Sequence, residues 1–248
     1  RAFTVRLFSL RRVLGFSLAA MALVPSMLIG WLLVRSSTQA INELAGGVLS
    51  QVAVVVQTGT EDHLRQAHAI LNGLIPEKMT EAQEEQARRW LRSPAQFESM
   101  AFALARQTPA VSQIHLANLR GEYMGVEHTG RGMRIAYRAA SGAGRDFFTA
   151  RQPGDRSQPL APEVVNFEPR TRPWYMAALS AKGRVFAPVQ VVAGGQQLLV
   201  TLAQPAYDPD GGAAGVFAVD LDLKPLADAL RTQRISAHGA AFVVDDKG

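Results

Sequence analysis

No cysteine occurs among the 248 residues, which excludes disulfides, thiolate nucleophiles and cysteine-ligated zinc. Aromatic residues are scarce, at 7% of the chain, so the stretch FEPRTRPWY (167–175) stands out. It puts three aromatics, two arginines and two prolines into nine residues. The five histidines (His63, His68, His115, His128 and His238) show no HExxH spacing, and no Ser-His-Asp or carboxylate pairing suggests a catalytic centre. The DPDGG segment (208–212) lacks the further carboxylates and closing glutamate of a calcium loop and reads as a hairpin turn. No metal, no cofactor and no catalytic residue is therefore expected within these residues.

Acidic residues are missing from the first 42 positions, where Arg1, Arg6, Arg11 and Arg12 precede a long apolar run. The net charge of +5 comes largely from these four arginines. Setting them aside leaves 22 of the 26 basic residues against 21 acidic ones. The rest of the chain is thus nearly neutral, without a basic stripe interleaved with aromatics, and nucleic acid is not an expected partner. Val13–Val34 is 22 residues without a charge, long enough to cross a hydrocarbon core of ~30 Å as a helix. The excess of arginine before it puts the N-terminus in the cytoplasm and the main body outside. A cleaved signal peptide is the rival reading, and its apolar core would be shorter, about 7–15 residues.

After the span, Ile41, Leu44, Val48, Val52 and Val55, then Leu64, Ala67 and Leu71, recur at helical spacing up to Pro76. An apolar stripe on so long a helix needs a partner, and a homodimer through this stalk is expected. Two shorter amphipathic helices follow, bounded by Pro76, Pro94 and Pro109. From Val111 the period changes to that of strands: VSQIHLAN and EYMGVEH around a turn at Leu119–Gly121, then MRIAYRAA. A loop is expected over 141–162, a short helix at PWYMAALSAKG, and strands at RVFAPVQVV, QQLLVTLAQPAY and AAGVFAVDLDL. A further helix, KPLADALRTQRI, precedes HGAAFVVDDKG, which repeats the strand–turn–glycine pattern of QIHLANLRG. It reads as the start of a second module in a chain that continues further.

The motifs Glu168-Pro-Arg-Thr-Arg-Pro-Trp-Tyr175, Ala203-Gln-Pro205 and Gly215-Val-Phe-Ala-Val-Asp220 occur in this order, and the chain from about Ser36 resembles the double Cache domain. That domain is the extracytoplasmic sensor of many bacterial transmembrane receptors. The resemblance implies an α+β fold: a transmembrane helix, a long stalk helix, a PAS-like antiparallel sheet module distal to the membrane and the start of a second one. The implied divisions are a cytoplasmic stub at 1–12, a span at 13–34, a stalk at 35–76, a distal module at 77–234 and a truncated proximal module from 235–248. It also implies the bacterial inner membrane, with the main body periplasmic.

In amino-acid-sensing members, an aromatic five residues before an arginine, the following tryptophan and tyrosine, and a later aspartate contact the ligand. Carried over, these are Phe167, Arg172, Trp174, Tyr175 and Asp220; Phe167 lacks the phenolic hydroxyl usual at its position. The chemistry is coherent in itself. A guanidinium fork suits a carboxylate, an aspartate suits an ammonium, and aromatic walls exclude water. Arg172 and Asp220 could equally pair with each other, with the aromatics as core packing. The expected ligand is an amino acid, a carboxylate or an amine. The sensor most resembles those ahead of adenylate or guanylate cyclase domains, and diguanylate cyclases, histidine kinases and chemoreceptors carry similar ones. A ligand-free dimerisation module or an anchored enzyme are the remaining readings.

Overall fold

The computed structural model describes residues 10–108, 111–130, 132–161, 166–191 and 198–232, with side chains continuous in the first helix from Glu61. Helix α1 runs Leu10–Leu74, through Pro25, Gly46, Gly47 and Gly59. The stretch Met21–Gln39 within it is long and apolar enough to cross a membrane, and its large apolar side chains are exposed. Near Pro25, which has no N–H to donate, the Ser26 hydroxyl donates to the Ala22 carbonyl at 2.8 Å. The chain divides at Val55 into two units, the first holding the span and the second everything described from Val56 onward. The side chains of Ile41, Leu44, Val48, Val52 and Val55, the first part of the expected dimer stripe, lie outside the described residues, as does the expected second module at 235–248. Ala67 and Leu71, from the second part of that stripe, are buried in the core of this chain itself, with Leu64 packed against it, so the sheet covers them and not a partner helix.

In the second unit, helices α2 (Glu81–Arg92) and α3 (Pro94–Gln107) follow the end of α1. Helix α2 starts on a capping box: the Gln83 N–H donates to the Thr80 hydroxyl and the Thr80 N–H to the Gln83 side chain. Pro94 opens α3, where a missing N–H costs no helical bond. Nine strands follow: β1 (Val111–Asn118), β2 (Tyr123–Thr129), β3 (Gly132–Arg138), β4 (Asp146–Ala150), β5 (Gln158–Pro159), β6 (Val185–Phe186), β7 (Gln190–Val191), β8 (Leu198–Tyr207) and β9 (Ala213–Asp222). Helix α4 (Pro173–Ala181) lies between β5 and β6, and α5 (Lys224–Thr232) follows β9. The sheet is antiparallel, in the order β5-β4-β3-β2-β1-β9-β8-β6, with β7 also on β8. The fold class is α+β.

Three details differ from the sequence reading. The loop expected over 141–162 contains β4, whose Phe147 and Phe148 pair with Ala136 and Ile135 of β3. RVFAPVQVV is not one strand but two short ones, because Pro188 between them has no N–H to give a ladder. The helix expected over PWYMAALSAKG ends at Ala181, and Lys182 caps it in the left-handed conformation (φ 53°).

Strand alternation gives the sheet two unlike faces. Ile114 and Leu116 of β1, Met124 and Val126 of β2, Ile135 of β3, Leu202 of β8 and Phe217, Val219 and Leu221 of β9 face the end of α1, α2 and α3. There Trp90, Phe97 and Phe217 meet edge to face, 5.7–6.2 Å between ring centres. Arg184 ties this side to the end of α1, donating to the Asn72 side chain at 2.6 Å, to the Ile75 carbonyl just beyond the helix at 2.9 Å and to the Gln204 side chain at 2.7 Å. The opposite face carries Ala117, Ala136, Ala203, Val216 and Ala218, packed with Trp174, Tyr175 and Ala178 of α4. Small side chains in the middle of that face leave room above it.

Gly215 allows the central strands and α2 to close. A Cβ there would lie 2.5 Å from the Ala117 carbonyl oxygen and 2.6 Å from Leu91 Cδ2. Because the first contact is backbone, Gly215→Ala is expected to destabilise the unit by about 1–3 kcal/mol, read as a lowered midpoint in urea unfolding.

Candidate functional site: a charged cavity on the small-residue face

Above the small residues lies a cavity of about 280 Å³. Its sheet side is built by parity: Gln113 and His115 of β1, Tyr123 and Glu127 of β2, Arg134 of β3, Thr201 of β8 and Asp220 of β9 all line it. Arg145, Phe167, Arg172 and Trp174 close it from the segments before β4 and around the start of α4. Gly125, opposite His115 in the β1–β2 register, keeps the floor low. A Cβ there would fall 2.8 Å from the Tyr123 hydroxyl oxygen and 2.6 Å from Gln113 Nε2.

The charges sort into two groups. Asp220, 7% exposed, accepts at Oδ1 from the Thr201 hydroxyl at 2.6 Å and from His115 Nε2 at 3.2 Å. The register explains the first contact, since Thr201 and Asp220 are direct partners across β8 and β9. The cations gather on aromatic rings. The Arg145 and Arg172 guanidinium carbons lie 4.0 and 4.7 Å from the Phe167 ring centre, and the Arg134 guanidinium lies 4.6 Å from that of Phe147 while bonding Glu127 at 2.6 Å. Phe167 thus carries two cations on its ring, a role in which a hydroxyl has no part. Arg172 Nε is buried without an acceptor, and no ion pair joins Arg172 to Asp220 among the described residues. Burial pushes the Tyr123 phenol well above its ordinary range, so it stays a neutral hydroxyl at the cavity wall.

Of the five residues singled out in the sequence, Phe167, Arg172, Trp174 and Asp220 line one cavity. Tyr175 does not. It packs under Trp174, 5.5 Å between rings, with a buried hydroxyl that meets no partner, because successive helical positions point about 100° apart. His115, Tyr123, Thr201, Arg134 and Arg145 were not singled out. Parity could have found the first three, since His115 alternates with Ile114 and Leu116 as Asp220 does with Val219 and Leu221. Arg145 carried no such signal.

The FEPRTRPWY turn is clamped on its other side. Glu168 accepts from Arg170 Nε at 2.7 Å and Nη2 at 3.0 Å, and from Arg138 Nη2 at 3.3 Å. Arg170 also donates to the Leu119 carbonyl at 2.9 Å, and buried Arg138 donates to that of Gly121. The β1–β2 turn, where Gly121 has a φ of +77°, is thereby tied to the segment that presents Arg172.

No family model matches the chain. It is 36% identical over 93 residues to the methyl-accepting chemotaxis protein McpA of Pseudomonas putida, covering 37% of this chain and 14% of that protein. It is 29% identical over 92 residues to PscA of Pseudomonas syringae pv. tomato, again 37% and 14%. The aligned region is thus a small part of those proteins. Among solved structures, it is similar to the ligand-binding domain of the Campylobacter jejuni chemoreceptor Tlp3 in complex with 4-methylisoleucine (TM-score 0.46, 15% identity, 76% of this chain and 64% of that one). It is also similar to the ligand-binding domain of the Pseudomonas aeruginosa amino acid chemoreceptor PctC in complex with GABA (TM-score 0.39, 20% identity, 75% and 62%).

The bonds from Arg170, and the Arg170 and Arg138 charges beside it, hold the pKa of the Glu168 carboxyl at about 2, below the ordinary glutamate value of 4.5. A carboxyl depressed in the fold adds stability that is complete above the unfolded value and is lost as pH falls through the folded one. Stability is therefore expected to decline between about pH 4.5 and pH 2, and Glu168→Gln should flatten that part of a melting-temperature profile against pH.

Proposed function

We propose that this chain is the extracytoplasmic sensing region of a bacterial membrane receptor, anchored by the span in α1, whose cavity takes a small metabolite bearing a carboxylate and an amine. One observation carries the reading. Arg172 and Asp220 share a cavity of about 280 Å³ without pairing with each other, and Arg172 Nε is left without an acceptor. Two opposite charges that bond elsewhere or not at all suit a zwitterion better than a structural ion pair. Arg172, with Arg145 beside it on Phe167, would meet the carboxylate. Asp220 would meet the ammonium, and Trp174 would form the wall.

The curated relatives named above are chemotaxis proteins, which favours a chemotaxis output over the nucleotide cyclase expected from the sequence resemblance. A homodimer through the stalk is part of the same proposal, resting on the apolar repeat Ile41–Val55.

The test uses the chain in lipid nanodiscs, melted against amino acids, γ-aminobutyrate, small carboxylates and amines. A ligand present at 100 times its dissociation constant should stabilise the fold by about 2.7 kcal/mol. Arg172→Ala should weaken that ligand by at least roughly tenfold, the loss of a charge-assisted pair. A folded protein with no shift across the panel overturns the reading. Topology is checked separately. As the chain has no cysteine, a single Lys182→Cys should react with an impermeant maleimide added to intact spheroplasts; protection until lysis would put the module inside.

A further inference from the structure

His115 and Thr201 belong to no motif of the resemblance, yet both converge on one oxygen of Asp220. The three residues are 2%, 3% and 7% exposed, and they come from β1, β8 and β9, so the sheet itself fixes their spacing. Thr201 Oγ1 donates to Asp220 Oδ1 at 2.6 Å, and His115 Nε2 lies 3.2 Å from the same atom. An ionised carboxylate only accepts, so the contact requires the proton on Nε2. Nδ1 is buried with no partner, so that nitrogen makes no bond that would hold the ring. The ring is instead held by packing, perpendicular to Trp174 at 4.7 Å and tilted against Tyr123 at 5.5 Å.

Two donors on one oxygen do more than neutralise it. A single donor lets a carboxylate turn about its Cβ–Cγ bond, whereas two from opposite neighbouring strands fix the plane of the group. Oδ1 is then fully engaged, and Oδ2 accepts from no described residue. We propose that His115 and Thr201 are positioning residues that lock the Asp220 carboxylate with Oδ2 towards the cavity, and so set the preference for ligands with a cationic nitrogen. This rests on the reading of Asp220 as the amine-binding group.

A structural role alone would cost stability without regard to the ligand. The lock predicts a selective loss. In the chain in nanodiscs, titration calorimetry with two matched pairs, L-valine with isovalerate and γ-aminobutyrate with butyrate, compares each amine-bearing probe with its amine-less partner. Wild type should prefer the amine-bearing member of at least one pair. Thr201→Val, nearly isosteric, and His115→Leu should each cut that preference by about tenfold, a loss of about 1.4 kcal/mol, while amine-less binding changes by less than about threefold. His115→Gln, which restores an N–H donor, should recover most of the preference.

Equal losses for both members of a pair, or an unchanged preference in Thr201→Val, overturn the lock while leaving the sensor reading intact. If His115→Leu fails to fold, judged by its melt without ligand, Thr201→Val and His115→Gln decide. Wild-type protein that binds none of the four probes, or shows no preference within either pair, overturns the amine reading and the lock with it.

Discussion

Strand β9 sits between β1 and β8, and its alternation of side chains decides what each face of the sheet can be. Phe217, Val219 and Leu221 go to the helices, while Val216, Ala218 and Asp220 go to the opposite face, where Asp220 lines the cavity. A slip of one residue would exchange the two sets, burying a carboxylate among Phe97, Trp90 and Ile114 and opening three large apolar side chains to water. The aromatic triangle of Trp90, Phe97 and Phe217 and the missing side chain at Gly215 both oppose such a slip. The site therefore inherits its accuracy from the core on the other side of the same strand. Chemistry on one face is held in register by packing on the other.

The two faces also divide the work by size. Bulky side chains on the helical face leave few voids, as a core requires. Alanine at 117, 136, 203 and 218, with Gly125, makes the second face shallow. Longer polar residues at its margin, Arg134, Glu127 and Gln113, then form a rim around a space that aliphatic side chains would have filled.

Much of this was legible in the chain itself. The apolar run, the helical repeats and the change to period two at Val111 anticipated the element order, and the FEPRTRPWY and GVFAVD motifs led to four of the residues that line the cavity. What failed to show has physical causes. The β4 strand hid among glycine, aspartate and arginine because its pairing with β3 is a long-range property. Tyr175 was grouped with Trp174 by adjacency, although neighbouring positions on a helix face different ways. His115 looked like any lone histidine until the sheet brought Asp220 to it from 105 residues away. Phe167, read as a missing hydroxyl, turned out to be a surface for two guanidiniums.

The clamp around Glu168 bears on the timing of order at the site. Arg170, Arg138, Leu119 and Gly121 fix the backbone two to four residues before Arg172, and Pro173 restricts Arg172 itself to an extended conformation, observed at φ −76° and ψ 145°. The chain entropy of this loop is therefore lost when the protein folds, not when a ligand arrives. An anion that reaches Arg172 meets a backbone already in place and has only the outer torsions of one side chain to still, so little of its interaction energy is diverted to ordering the loop.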